Sequence, residues 1–247
     1  MNEPRVDFKR MLVRLPRSAH DYAAVGVTAQ LAGLLGMSVV ATFIQDVELV
    51  DMAALPCVRE LRPLGGGWHP IEGRQLARDL ERAAATAQRL FYDAVRPTRI
   101  ETSFNLARGS AADVMGSSAA ADDIIVVIEP RHPAERVTQQ FTRLVDAAFG
   151  TSAAVMVVPS RIARTAGPIA AVISGSGDPS IRSALAIAAA AKERVIALGP
   201  SGLKMDGSIV ELAEALGVRI EAGPAIQEPL DVVSLLSHLA RLKSGRY

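Results

Sequence analysis

The chain has 247 residues, of which 49% are hydrophobic and 21% charged, with a formal net charge of +1. That supports a sizeable core in one large domain or two smaller ones. It excludes bulk attraction to nucleic acid or an acidic membrane, and 4% aromatics leave few platforms for stacking on single strands.

The first seven residues carry acidic side chains and no apolar stretch, unlike a signal peptide. Residues 11–15 predict a short strand ended by Pro16, with Ser18 and Asp21 spaced as a capping box for a helix to Leu35. Gly36 closes that helix, and residues 38–45 read as a second strand. Residues 23–44 hold no charge and are long enough to span a bilayer, but their period changes at Gly36. Helix followed by buried strand, with no membrane insertion, is the expectation. Residues 46–71 mix apolar side chains with Pro56, Pro63 and Gly65-Gly66-Gly67, and read as an excursion with one helical turn.

Residues 72–95 predict an amphipathic helix through Leu76, Leu80, Ala83, Ala87 and Phe91, stopped by Pro97. A third strand follows over 100–106, then a capping box of Ser110 and Asp113 opens a helix to about Ala120. Asp123-Ile124-Ile125-Val126-Val127-Ile128 and the run from Ala153 to Pro159 bracket a helix over 135–150. Two continuous β-branched runs around a helix are what a parallel sheet covered on both faces requires. The result is an α/β chain with a doubly wound, five-stranded parallel sheet over residues 1–160.

Residues 161–167 read as a polar linker. Beyond it the pattern restarts as a smaller α/β repeat over 168–247. Its elements are a strand at 168–174, a helix opened by Asp178-Pro179, a strand at 194–198, a helix capped by Ser208 and Glu211, a strand at 218–221 and a helix over 229–242. Laying Ser176 over Ser18 aligns the two halves, so the second is a shortened, degenerate copy.

This order resembles the universal stress protein family. The likeness rests on Arg108-Gly109-Ser110 before the third helix, Asp123-Ile-Ile-Val-Val at the fourth strand and Ala154-Val155-Met156-Val157-Val158-Pro159 at the fifth. It implies an adenine nucleotide alpha hydrolase-like fold in tandem, a stress-response role in the cytoplasm, and a homodimer paired through the run from Ala153 to Val158. Nucleotide-binding members resemble one another in a signature G-x2-G-x9-G-[ST] running from the fourth strand into the next helix. Bare glycines there let backbone N–H groups approach phosphates. Here its glycine positions carry Ile128, Arg131 and Phe141, with Thr142 alone matching, and Pro16 replaces the aspartate usual after the first strand. The expectation is therefore no ATP bound in the family manner and no cofactor.

Candidate ligand residues lie at three kinds of turn. They are Arg17 and Ser18 after the first strand, Gly109 and Ser110 at a cap, and Arg131, His132 and Thr142 around the displaced nucleotide turn. In the second half, Ser174, Gly175 and Ser176 sit where exposed N–H groups meet an anion or merely make a turn. His20, His69 and His238 lack metal-ligand spacing, and Cys57, the only cysteine, lacks a partner and points to a reducing compartment. No serine sits in a nucleophile elbow, so no catalytic constellation emerges. Trp68 with Cys57, Leu61 and Leu64 marks the excursion as a protein-partner surface or satellite core. The functional expectation is a non-catalytic regulator acting by dimerisation or partner contact. The alternative is a nucleotide or small-anion sensor with a non-standard pocket.

Overall fold

The short β-branched runs assemble side by side because each is apolar on both faces and must be covered above and below. The computed structural model describes residues 8–16, 21–45, 47–61, 66–159, 166–176, 178–202 and 204–226. The chain separates into two units, Met1–Arg161 and Ile162–Tyr247.

In the first unit β1 (Arg10–Arg14) leads through α1 (Tyr22–Leu35) to β2 (Ser38–Gln45). Then come α2 (Val47–Ala54), a hairpin of β3 (Arg59–Leu61) and β4 (Trp68–Pro70), and α3 (Gly73–Val95). The unit continues with β5 (Thr102–Arg108), α4 (Ala111–Ser118), β6 (Asp123–Ile128), α5 (Pro133–Arg136), α6 (Gln139–Phe149) and β7 (Ala154–Val158). The sheet order is β5-β2-β1-β6-β7, with every pair parallel. Leu12, Ile44, Ile125 and Val127 pack under Met115 of α4 and Leu144 and Ala148 of α6. Met11 and Val13 alternate to the opposite face, where α1 and α3 pack and Phe91 is fully buried.

At the amino ends of the central strands, Asp123 is fully buried. Arg10 donates to it through Nε at 2.8 Å and Nη2 at 2.7 Å, and the Ala120 N–H adds a bond at 2.9 Å. This locks β1 to β6, and Asp123 orders the start of the strand.

Four local expectations change. The excursion is more regular than a single turn: α2 runs two turns and the hairpin follows it. The third strand lies two residues later than expected, at Thr102–Arg108. The helix expected over 135–150 is two helices, because the Thr138 hydroxyl accepts from the Phe141 N–H and starts α6 afresh. Asp21 is the N-cap position of α1 and makes no side-chain cap bond, so it does not serve as the inner member of a box with Ser18, which lies outside the described residues.

The second unit contains β8 (Ile169–Val172), α7 (Pro179–Ala191), β9 (Val195–Leu198), α8 (Gly207–Leu216) and β10 (Ile220–Ala222), a parallel sheet of order β10-β9-β8. Ile169, Ala171, Ile181, Leu185, Val195 and Ile209 form its core. Asp178 caps α7 as the sequence predicts. At α8 the cap is Asp206, whose carboxylate accepts from Ser208 N at 3.1 Å, so the Ser208–Glu211 box is corrected. Residues 161–165 of the linker and the helix expected over 229–242 lie outside the described residues. Among the described residues no helix is long and apolar enough to cross a membrane, and residues 23–44 resolve into α1, the Gly36 turn and β2.

Candidate functional site

The first unit has one switch point. From β1 the chain winds outward through α1 to β2, and from β6 it winds the other way to β7, while β1 and β6 are neighbours. Such a reversal opens a crevice beyond the carboxyl ends of the two strands. A cleft of about 450 Å³ lies there.

Its apolar walls include Leu15, Val126, Ile128, Phe141 and Leu144. Ile128 and Phe141 stand where a phosphate-binding turn would present bare backbone, but they line the crevice without filling it. Pro16, which lacks an N–H, also borders it. The polar lining is dominated by carboxylates: Asp21 from the start of α1, Glu129 just beyond β6 and Glu135 from α5. Arg14 lines it too, and Arg136 reaches Glu129 at 3.4 Å while its Nε donates to the Pro130 carbonyl. Asp21 Oδ1 is buried and has no hydrogen-bond partner among the described residues. The charged lining is thus three carboxylates to one guanidinium, a surplus of negative charge unfavourable to an anion.

The first turn of α6 is also committed. Thr138 takes the Phe141 N–H, and the Thr142 hydroxyl donates to the Thr138 carbonyl at 3.1 Å. Thr142, the one residue matching the nucleotide signature, therefore turns to its own helix.

The other sequence-selected residues are dispersed. Arg17 and Ser18 lie outside the described residues. Gly109 holds a φ of +142°, a conformation suited to glycine, and its N–H donates to the Gln45 carbonyl at 3.1 Å. Ser110 caps α4, accepting from Asp113 N at 3.2 Å while its hydroxyl donates to the Asp113 carboxylate at 2.7 Å. Arg131 and His132 are exposed on the bend before α5 and are not among the residues lining the crevice.

In the second unit, the Ser174–Ser176 turn folds around its own carboxylate. Asp178 accepts from Ser174 N and Oγ, both at 2.9 Å, from Ser180 N at 3.0 Å, and from the Ser180 hydroxyl. Those bonds, the Ser174 N–H foremost, hold the Asp178 carboxyl well below the usual carboxylate range. The Ser174 and Ser180 donors of this turn are thus already committed to Asp178. Among the described residues no three His, Cys, Asp or Glu side chains group as metal ligands.

The sequence reading missed the gathering of Arg14, Asp21, Glu129 and Glu135. They are up to 121 positions apart, from Arg14 to Glu135 (135 − 14), and no local spacing joins them. Their only shared signal is that each follows or ends a strand bordering the switch point, or starts the next helix.

A universal stress protein from Archaeoglobus fulgidus DSM 4304 aligns over 95% of this chain and 82% of its own, at 10% identity and a TM-score of 0.64. This chain has the universal stress protein fold. A putative universal stress protein from Pseudomonas aeruginosa UCBPP-PA14 is 18% identical over 98% of this chain and 82% of its own, at a TM-score of 0.48. A universal stress protein solved in complex with cAMP is 12% identical and covers 62% of this chain and 98% of its own, at 0.41. No protein-family model matches the chain, and no curated protein matches it.

Proposed function

We propose that this protein is a non-catalytic, cytoplasmic stress-response regulator whose first-unit crevice does not hold a nucleoside triphosphate in the manner of the glycine-signature proteins. It acts through pairing with a second copy or contact with another protein. One observation carries the reading: at the switch point, side-chain-bearing Ile128 and Phe141 and the carboxylates of Asp21, Glu129 and Glu135 stand where phosphates would need bare N–H groups and positive charge. A triphosphate entering there meets three carboxylates against the single lining guanidinium of Arg14 and loses hydration that this lining replaces only in part.

Two surfaces are available for contact. The β7 edge ends the sheet, and Val157 on it is well exposed, which favours strand-to-strand pairing of two copies. The excursion exposes Val50, Met52, Leu55, Leu61 and Trp68, an apolar surface suited to a protein partner. The second unit is read as a truncated copy of the first. Its parallel order β10-β9-β8 repeats β5-β2-β1, and the alignment with the Archaeoglobus structure runs through 95% of this chain.

Isothermal calorimetry of the full chain with ATP, ADP, AMP and cyclic nucleotides tests the proposal. No saturable heat with ATP supports it. A 1:1 isotherm with ATP, tightened by Glu135→Lys and lost in Ile128→Trp, overturns it in favour of a nucleotide sensor.

A further inference from the structure

The outer face of α3 concentrates charge that the balance of the whole chain conceals. Residues 73–99 hold six arginines against Asp79, Glu81 and Asp93, a local sum of +3 (6 − 3), while all 247 residues sum to +1. At about 100° per residue, Arg74, Arg78, Arg82, Arg89 and Arg96 fall within an arc of about 80°. Ala84, Ala87, Phe91 and Val95, the buried side of the same helix, fall outside that arc. Arg96 keeps helical dihedrals (φ −46°, ψ −42°), so the stripe runs unbroken for 22 residues (96 − 74), about 33 Å.

All five arginines are exposed. Arg82 reaches Asp79 at 3.4 Å, and Gln75 donates to the same carboxylate at 3.0 and 3.1 Å. Arg74, Arg78, Arg89 and Arg96 have no ion-pair partner among the described residues. Glu81 stands three residues after Arg78 and Asp93 four after Arg89, spacings that allow pairing, yet neither pairs. Neighbours along the stripe rise by about 6 or 10.5 Å, close to the screening length in physiological salt, so their repulsion is only partly screened.

Three features choose the partner. The arginines follow one another at intervals of four, four, seven and seven residues, one or two helical turns, which is how carboxylates line one face of another α-helix. The margins carry carboxylates, Glu81 on one side and Asp79 and Asp93 on the other. A phosphate backbone is negative throughout and would be pressed against them, whereas a polypeptide offers both signs. Tyr92, 42% exposed, is the one aromatic ring along the stripe, too few for stacking a single strand.

We infer that the outer face of α3 docks an acidic α-helical segment of a partner protein, its carboxylates spaced by four and seven residues along the arginines. The inference rests on the reading that this protein acts by contact with another, and gives that contact a surface distinct from the β7 edge and the excursion. Exposed charge pairs contribute little singly, so the contact is reversible and salt-dependent.

Fluorescence anisotropy with the full chain tests it. The probe is a labelled helical peptide of alanine and glutamine, with one glutamate per arginine at the matching spacing. Saturable binding is expected at about 0.05 M salt, weakening at least about tenfold at about 0.5 M. A peptide of identical composition with its glutamates spread round the helix should bind about tenfold more weakly. Arg78→Glu/Arg89→Glu, at exposed positions, should weaken the matched peptide about tenfold and leave the far-UV circular dichroism unchanged, while Arg78→Lys/Arg89→Lys retains most of the binding. Absence of saturation, equal binding of the two peptides, or no loss in the glutamate variant overturns the inference. So does tighter binding of a DNA duplex or of anionic vesicles, which would assign the stripe to nucleic acid or to a membrane. Light scattering on the same samples keeps the two readings apart: a dimer that persists while the peptide fails to bind removes this surface and leaves the regulator standing.

Discussion

Replacing Asp123 by alanine should be among the most damaging single changes in the first unit. The carboxylate is fully buried and accepts three bonds: two from Arg10, at 2.8 and 2.7 Å, and one from the Ala120 N–H at 2.9 Å. Breaking a fully buried ion pair on one side costs about 3–5 kcal/mol, because the remaining charge is stranded. Here the Arg10 side chain is 44% exposed, so water recovers part of that loss and the figure falls to about 2–4 kcal/mol. A loss of 3 kcal/mol in a unit of this size lowers the melting temperature by about 6–12 °C. Urea unfolding followed by far-UV circular dichroism reads this directly. Two controls sharpen it. Arg10→Ala should cost about as much, since it strands the more deeply buried partner, and an Arg10→Met/Asp123→Leu double variant should recover most of the loss. A cost below about 1 kcal/mol for Asp123→Ala would refute the claim that this pair locks β1 to β6.

The same carboxylate gives a signed pH dependence. Burial alone would raise the Asp123 pKa, but the Arg10 bonds and the Ala120 N–H outweigh it and hold it below the ordinary 3.8. Its folded value is depressed, so its stabilisation is complete above the unfolded value near 3.8 and is lost as pH falls through the folded value. Urea midpoints should therefore drop more steeply below about pH 4 in the parent than in Asp123→Ala. Gly223→Ala should destabilise the second unit by about 1–3 kcal/mol in a thermal melt. The added Cβ would sit 2.5 Å from Leu198 Cδ2, 2.9 Å from Ile196 Cγ2 and 3.1 Å from the Ala197 carbonyl, and the carbonyl cannot move aside cheaply. At α8, Asp206→Ala should cost about 1 kcal/mol and Ser208→Ala only a few tenths, and the reverse order would return the cap to Ser208. Light scattering across micromolar concentrations should show a dimer that Val157→Lys on β7 converts to monomer, and a parent already monomeric removes the pairing proposal.

The sheet was legible because its signal is local. Continuous apolar runs such as Asp123–Ile128 and Ala154–Val158 are short and β-branched, and they need no distant partner to be recognised. The Gly73–Val95 helix was equally plain from its apolar spacing and its stop at Pro97. What escaped was punctuation. Thr138 reads as an ordinary helix residue until its hydroxyl is seen to take the Phe141 N–H, and Val137 just before it, 82% exposed, makes no packing demand that would keep one helix continuous. At α8, Asp206-Gly207 is a stronger start than Ser208, but the box spacing drew attention two residues too far along. The acidic lining of the crevice was invisible for a different reason. Asp21, Glu129 and Glu135 meet only because β1 and β6 are neighbours, a pairing that no stretch of sequence near any one of them encodes.

The position of β1 has a consequence for biosynthesis. It leaves the ribosome before the other four strands of its sheet, yet it ends in the middle of that sheet, and its Arg10 must wait for a partner 113 residues downstream. At ordinary translation speeds that delay is on the order of ten seconds, long compared with the collapse of a helix or a strand pair. During it the nascent chain can assemble β2 and β5 on one flank of β1 while the other flank stays open to neighbouring polypeptides. Guarding that flank cotranslationally, by the ribosome surface or a chaperone, is a demand set by strand order alone.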